Sequence, residues 1–200
     1  MYLLFARAFD YPRPEFWDAV EGKRPEEVFG DAQELTPSSA EKAVLVAPRS
    51  QEEREIEYVN SFVVGKGGTP PCPLYEGLHR TDEGREGLLM DLLRFYHYFG
   101  LKLSQRDRDF PDHLVTELEF MAYLAAREAA AMEEGKASAP YRKAQRDFLH
   151  RHLLAWVPLL EERLATRLPS SAHGPLCSLL VAFAQSERKR LDSSPEGDGP

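Results

Sequence analysis

The sequence has little cysteine and no long hydrophobic run. Its two cysteines, Cys72 and Cys177, lie far apart and neither belongs to a CxxC pair, which excludes a disulfide-rich scaffold and a cysteine-based zinc module. No stretch approaches the ~18 consecutive apolar residues of a membrane-spanning helix. The opening segment, residues 1–12, is apolar too briefly for a signal peptide. We therefore expect a cytoplasmic protein with reduced thiols.

Basic residues are outnumbered by acidic ones. The chain of 200 residues has 25 Lys and Arg against 33 Asp and Glu, a formal net charge of −8. A nucleic-acid-binding protein normally carries a basic surface for the phosphates, so the charge argues against that class. An acidic surface instead attracts cationic partners. We expect neither nucleic-acid binding nor membrane insertion.

Helical periodicity dominates the apolar residues, and strand-like alternation never lasts for more than a few residues. Residues 88–99, for example, place Leu88, Leu92 and Tyr96 on one face. The pattern predicts an all-α protein folded as a compact helical bundle. Proline and glycine mark the expected helix ends. Helices are predicted at residues 1–9, 14–20, 51–64, 81–99, 111–134, 140–168 and 175–191, with a kink at Pro158, and residues 40–47 are predicted as a short helix or a buried segment.

A charged connector divides the predicted helices into two groups. We expect an N-terminal helical half at residues 1–101, a hinge at 102–110 and a C-terminal helical half at 111–191. The Ser, Pro, Gly and Asp content of residues 192–200 predicts a disordered tail. A hinge of this kind is compatible with a monomer or a domain-swapped dimer.

Two segments invite a chemical interpretation. Residues 65–69, GKGGT, lack the first glycine and the preceding strand of a phosphate-binding loop and are interpreted as a loop. His113 and Glu117 would share one helix face with Asp112 beside them, which is a possible metal or acid–base set. Alternatively, Pro111 begins the helix and Asp112 stabilises its N-terminus. Without a nucleophile–base pair the sequence favours a binding protein over an enzyme, with no catalytic residue, metal ligand or cofactor assigned.

Several motifs together resemble one protein family. The run Asp109–Leu114, DFPDHL, followed by ELEFM at Glu117–Met121, resembles the signature of the TorD/DmsD/NarJ family of redox enzyme maturation chaperones. Asp109 stands where that family usually has Glu, so the charge is kept on a shorter side chain. The ELEFM run most resembles the chaperones of dimethylsulfide and ethylbenzene dehydrogenases and selenate reductases. Further stretches that resemble the family are residues 4–12, residues 72–76, and residues 145–156 with His152.

The resemblance implies an all-helical chaperone of a molybdopterin oxidoreductase. Such proteins bind the apo catalytic subunit, often through its twin-arginine signal peptide, and delay export until the cofactor is inserted. Asp112 and His113 would then orient the hinge and contact the peptide, and His113 would make binding sensitive to pH. Glu117 and Glu119 would supply charge, and Tyr75 would belong to the apolar wall. The full set of residues expected to bind the peptide is Tyr75, Glu76, Asp109, Pro111, Asp112, His113, Leu114, Glu117, Glu119 and Phe120.

Two other functions remain open from the sequence. One is a small all-α metal-dependent hydrolase that uses Asp112, His113 and Glu117. The other is a structural adaptor that joins two subunits of a redox complex and never leaves it. Bound metal would support the first alternative, and persistence in the mature complex would support the second.

Overall fold

The structure is a computed structural model, and it describes residues 1–24, 27–28, 49–80, 84–103 and 110–193. The described part of the chain contains helices and no strand beyond one isolated bridge, which confirms the all-α prediction. No helix in this part is both long and apolar enough to span a membrane. The α-helices are α1 Tyr2–Phe9, α2 Pro14–Val20, α3 Gln51–Tyr58, α4 Arg85–Tyr98, α5 Leu114–Glu133, α6 Ala139–Phe148, α7 Leu154–Arg167 and α8 His173–Ser193.

Two π-helical turns interrupt helices that the sequence predicts as continuous. Val59–Val63 extends α3, and Leu149–Leu153 joins α6 to α7. Pro158 lies inside α7, where the kink stays a prediction, and the π turn Leu149–Leu153 ends just before α7. Pro158 cannot donate to the carbonyl of Leu154, and Leu154 is the first residue of α7, directly after the π turn.

The helices share one apolar core. Helix α1 packs against α5 and α8, α5 packs against α6, and α7 packs against α8. Phe5 of α1 stacks on Phe183 of α8, with ring centroids 5.6 Å apart. Residues from both predicted halves thus belong to a single hydrophobic cluster. The division at residues 102–110 stays a prediction, because residues 104–109 lie outside the described part.

Helix α5 begins later than the sequence predicts. Its N-cap is His113, whose Nδ1 accepts a hydrogen bond from the Val115 N–H at 3.3 Å. Pro111 and Asp112 therefore precede the helix, and the interpretation that Asp112 stabilises its N-terminus is wrong. The Asp112 carboxylate is instead engaged by another segment of the chain, as described below.

Three further predictions concern residues that lie outside the described ranges or at their ends. The segment at residues 40–47 lies outside them, as does Asp109. The predicted disordered tail began at residue 192, but Asp192 and Ser193 still belong to α8. Residues 194–200 are not among those that the structure describes.

Candidate functional site

A short backbone pairing joins the two motifs that carry the family resemblance. Tyr75 and His113 form an isolated antiparallel bridge. On one side of it, the Glu76 N–H donates to the Asp112 carbonyl at 2.9 Å, and on the other the Leu114 N–H donates to the Leu74 carbonyl at 2.9 Å. The loop before α4 is thereby fixed to the N-terminus of α5.

Asp112 lies fully buried beneath this bridge. Its Oδ2 accepts a hydrogen bond from the Gly77 N–H at 3.1 Å and lies 3.8 Å from Arg85 Nε. Its Oδ1 has no hydrogen-bond partner among the described residues. Burial raises the pKa of the Asp112 carboxyl, and the Gly77 hydrogen bond and the Arg85 charge oppose that rise.

Glu76 is also fully buried, and two basic side chains contact it. Arg80 Nη1 donates to Glu76 Oε1 at 2.8 Å, and His152 Nδ1 lies 2.9 Å from Glu76 Oε2. The other ring nitrogen of His152 lies 3.3 Å from Asp91 Oδ2. Arg80 also donates to the Arg151 carbonyl at 2.9 Å, which ties the loop to the π turn before α7.

Glu117 completes a set of three buried carboxyls that we call the acid cluster: Glu76, Asp112 and Glu117. The Trp156 Nε1–H donates to Glu117 Oε2 at 3.0 Å. Burial, together with the neighbouring carboxyls of Glu76 and Asp112, raises the pKa of Glu117 well above its usual range. The acid cluster thus connects the loop at Glu76, the start of α5 and α7.

Aromatic rings lie over the bridge at the surface. The Tyr75 ring packs edge-on against the His113 ring with centroids 4.9 Å apart, and lies 6.2 Å from the Phe110 ring. Phe110 is about half exposed, and the Arg85 guanidinium lies 5.0 Å from its centroid. This surface is amphipathic, with one apolar face and a cationic edge.

A groove of about 570 Å³ lies beside the start of α5. Its walls come from the end of α1 and the residue after it, the segment after α4, and one face of α5. Glu119 and Phe120, two of the predicted site residues, line it together with Asp10. Other side chains that line the groove are Arg7, Arg13, Tyr96, Lys102 and Tyr123.

The structure separates the predicted site residues into buried and accessible ones. Asp112 and His113, which the resemblance implies contact the peptide, both have buried side chains. The Glu117 carboxylate is likewise inaccessible to a peptide, and Glu119 is exposed. The residues that are buried are Glu76, Pro111, Asp112, His113, Leu114, Glu117 and Phe120, with Tyr75 half-buried. A role for these residues in binding a client stays a prediction.

The cluster's partners were largely missed from the sequence. Arg80, Asp91 and Arg85 belong to no motif, and Trp156 is marked only by lying in a stretch that resembles the family. Their importance comes from contacts over long sequence separations, such as Trp156 with Glu117 and His152 with Glu76. The signal that does exist is the i, i+4 spacing of Glu76 and Arg80, which suits an ion pair on one turn.

The residues of the proposed metal site face separate partners. Asp112 bonds to Gly77, Glu117 bonds to Trp156, and His113 Nδ1 caps α5. Within the described ranges, no group of three or more His, Cys, Asp or Glu side chains is arranged to hold a metal ion. The geometry therefore assigns structural hydrogen bonds to all three residues.

The fold and the site define an all-α protein with a surface groove beside a buried acid cluster. The family described as nitrate reductase delta subunit matches residues 30–162. The chain belongs to this family, the TorD/DmsD/NarJ redox enzyme maturation chaperones, as the motifs predicted.

Curated relatives extend the similarity over nearly the whole chain. The chain is 39% identical to the chlorate reductase assembly chaperone protein of Ideonella dechloratans, over 98% of this chain and 90% of that protein. It is 40% identical to the selenate reductase assembly chaperone protein of Thauera selenatis, over 95% of this chain and 87% of that protein. It is 33% identical to the dimethyl sulfide dehydrogenase assembly chaperone protein of Rhodovulum sulfidophilum, over 96% and 78%. The relatives are named chaperones, which confirms the prediction of a protein that is not an enzyme.

Proposed function

We propose that this chain is a cytoplasmic assembly chaperone for the catalytic subunit of a molybdopterin oxidoreductase. It binds the apo subunit, assists cofactor insertion and delays export until maturation is complete. The observation that carries the proposal is the 39% and 40% identity, over 98% and 95% of the chain, to proteins named as assembly chaperones of reductases. Similarity of this extent leaves little of the chain for a different activity.

The groove is the surface on which we place the client's twin-arginine signal peptide. Asp10 and Glu119 offer carboxylates for guanidinium groups, and Phe120 and Tyr123 offer apolar surface. Arg7 and other basic side chains also line the groove, so recognition depends on where the two carboxylates lie rather than on the net charge of the groove.

The size of the apolar contact sets the expected strength of binding. Burying roughly 400–600 Å² of apolar peptide surface at ~25 cal/mol/Å² gives about 10–15 kcal/mol before costs. Ordering the peptide and bringing two molecules together consume much of this gain. Affinities between micromolar and nanomolar follow, which suits a chaperone that holds its client and then releases it.

Titration calorimetry with two synthetic peptides tests the groove. One peptide carries two adjacent arginines followed by an apolar stretch, and the other carries two lysines in their place. We expect the arginine peptide to bind more tightly, because arginine pairs with carboxylates through two parallel hydrogen bonds. Glu119→Gln should weaken binding of the arginine peptide about tenfold, the loss expected for one charge-assisted hydrogen bond.

The matched control is Glu133→Gln, which changes an exposed glutamate at the other end of α5. It should leave affinity for the arginine peptide unchanged. Equal affinities for the unmodified chain and Glu119→Gln would remove the groove as the docking surface.

Co-purification distinguishes a chaperone from a permanent adaptor. The client to examine is the catalytic subunit of a molybdopterin oxidoreductase from the same cells. We expect the chain to accompany that subunit before its cofactor is inserted and to be absent from the mature enzyme. Its persistence in the mature enzyme would identify it as an adaptor.

A further inference from the structure

The three members of the acid cluster differ in how their charges are compensated. Glu76 contacts Arg80 and His152, and Asp112 faces Arg85. Glu117 makes no ion pair with any described residue, and its one partner on Oε2 is the neutral indole N–H of Trp156. Its Oε1 is buried with no hydrogen-bond donor facing it among the described residues.

A fully buried carboxylate without a cation or a second donor is strongly destabilised, whereas a protonated carboxyl can donate a hydrogen bond of its own. Among the neighbouring charges, the Glu76 carboxylate raises the pKa of Glu117 most, and a carboxylate can accept such a hydrogen bond. Arg80 and His152 contact Glu76, whereas Glu117 makes no ion pair among the described residues.

We propose that Glu117 is held as a neutral acid that shares its proton with Glu76, and that this proton makes Glu117 a positioning residue. It fastens the loop that contains Tyr75 and Glu76 to helix α5. The shared proton lies under the Tyr75–His113 bridge and adds a side-chain connection to the two backbone hydrogen bonds there. The shape of the surface above the bridge then depends on one buried proton.

The surroundings of this proton come from every element packed against it. The loop supplies Glu76 and Arg80, the segment before α5 supplies Asp112, and α7 supplies Trp156. The remaining titratable or charged side chains around the cluster are Arg85, Asp91 and Tyr96 from α4 and Arg151 and His152 from the π turn. Among the described residues, Arg80 contacts Glu76 and Arg85 lies near Asp112, which leaves Glu117 beside carboxyls.

Stability should therefore fall as pH rises. Burial and the adjacent carboxyls raise the pKa of Glu117 in the folded chain, so the folded chain keeps a proton that the unfolded chain has already lost. In the interval between the unfolded and the folded pKa, the unfolding equilibrium constant rises about tenfold per pH unit for this one proton.

Glu117→Gln tests the proposal, since a glutamine amide donates as the neutral acid does and carries no proton to lose. Urea unfolding would be followed between about pH 5 and pH 9. We expect the free energy of unfolding of the variant to match that of the unmodified chain near pH 5 and to exceed it at higher pH. The slope of this free energy against pH should be smaller in the variant by the contribution of one proton. Glu133→Gln, the exposed control on α5, should keep the original slope, and Glu117→Leu should lose stability at every pH.

Carboxyl-carbon NMR of the unmodified chain tests the same proton without any variant. We expect one glutamate signal to keep the shift of a protonated carboxyl at neutral pH and to disappear in Glu117→Gln. An ionised signal for every glutamate at neutral pH would overturn the proposal, as would a Glu117→Gln slope equal to that of the unmodified chain. Neither measurement requires a client, so failure here leaves the chaperone function untouched.

Discussion

Individual buried histidines make the folding stability of this molecule sensitive to acid. His173, the first residue of α8, lies fully buried among aromatic rings, and burial lowers its pKa to about 4. His79 has a pKa of about 4 for the same reason, with Nε2 2.7 Å from the Pro73 carbonyl oxygen. The rings around His173 are Phe9, Trp17, Tyr58 and Phe62.

Removing the titration of His173 should make the protein less sensitive to acid. The folded chain keeps this ring neutral, whereas the unfolded chain protonates it below about pH 6.5, so stability is lost as pH falls from about 6.5 to 4. In His173→Phe we expect that loss to shrink by on the order of 3 kcal/mol. Urea unfolding at several pH values measures it.

His150 supplies the comparison, because its side chain is exposed on the π turn. His150→Gln should leave the acid-dependent loss of stability as it is in the unmodified chain. A loss of equal size in His173→Phe and the unmodified chain would show that His173 ionises freely in the folded state.

At the scale of helices and turns, local sequence is enough to predict some element bounds and not others. Periodicity and helix-breaking residues predict α5 and α8 to within a few residues, because 3.6-residue spacing and glycine or proline act locally. The π turn Leu149–Leu153 escapes prediction because its residues are ordinary helix formers. The start of α5 was placed three residues early, since Asp112 bonds to Gly77 rather than to its own helix.

Gly65 occupies a position at the end of the first π turn where no side chain fits. A Cβ there would lie 1.7 Å from the Thr69 carbonyl oxygen, so the backbone would have to move. We expect Gly65→Ala to destabilise the protein by about 2 kcal/mol or more, measured as the shift in urea midpoint.

Gly87 is the matched case, because it lies in the first turn of α4 with no atom within 4 Å of a Cβ. Gly87→Ala should stabilise the protein by about 0.5–1 kcal/mol by restricting the unfolded chain. A small effect of Gly65→Ala, comparable to that at Gly87, would contradict the tight turn.

At the scale of the whole molecule, most of the predicted site residues are buried, and their role in binding a client stays a prediction. The motifs at residues 72–76 and 109–114 do meet, through the Tyr75–His113 bridge. Charged residues such as Asp112 and Glu117 are ordinarily exposed, so a sequence alone gives no reason to bury them. Their burial depends on Arg85 and Trp156, which only the folded chain brings near.

The shared core predicts that both helical halves unfold together. Phe5→Ala removes a fully buried ring that stacks on Phe183 and should cost about 3–5 kcal/mol. Each predicted half contains one of the two tryptophans, so fluorescence can follow the halves separately. In Trp156→Phe the remaining Trp17 reports on the N-terminal half, and in Trp17→Phe the remaining Trp156 reports on the C-terminal half. We expect Phe5→Ala to shift both fluorescence transitions equally.

Leu3→Ala is the control, because Leu3 lies on the same helix and is 57% exposed. It should change stability by no more than about 0.5 kcal/mol. A shift confined to the Trp17 signal in Phe5→Ala would show instead that the two halves unfold separately.

The contacts around Glu76 restrict which substitutions homologous sequences can accept. Arg80 and His152 are four and 76 positions away from Glu76 along the chain, yet both contact the same buried carboxyl. Losing Arg80 would remove the guanidinium partner of the buried Glu76 carboxyl, and breaking a buried ion pair costs about 3–5 kcal/mol, a large share of the stability of an ordinary domain. We therefore expect homologous chains to exchange these three residues as a set, by compensated steps, so that their covariation would trace the contact without a structure.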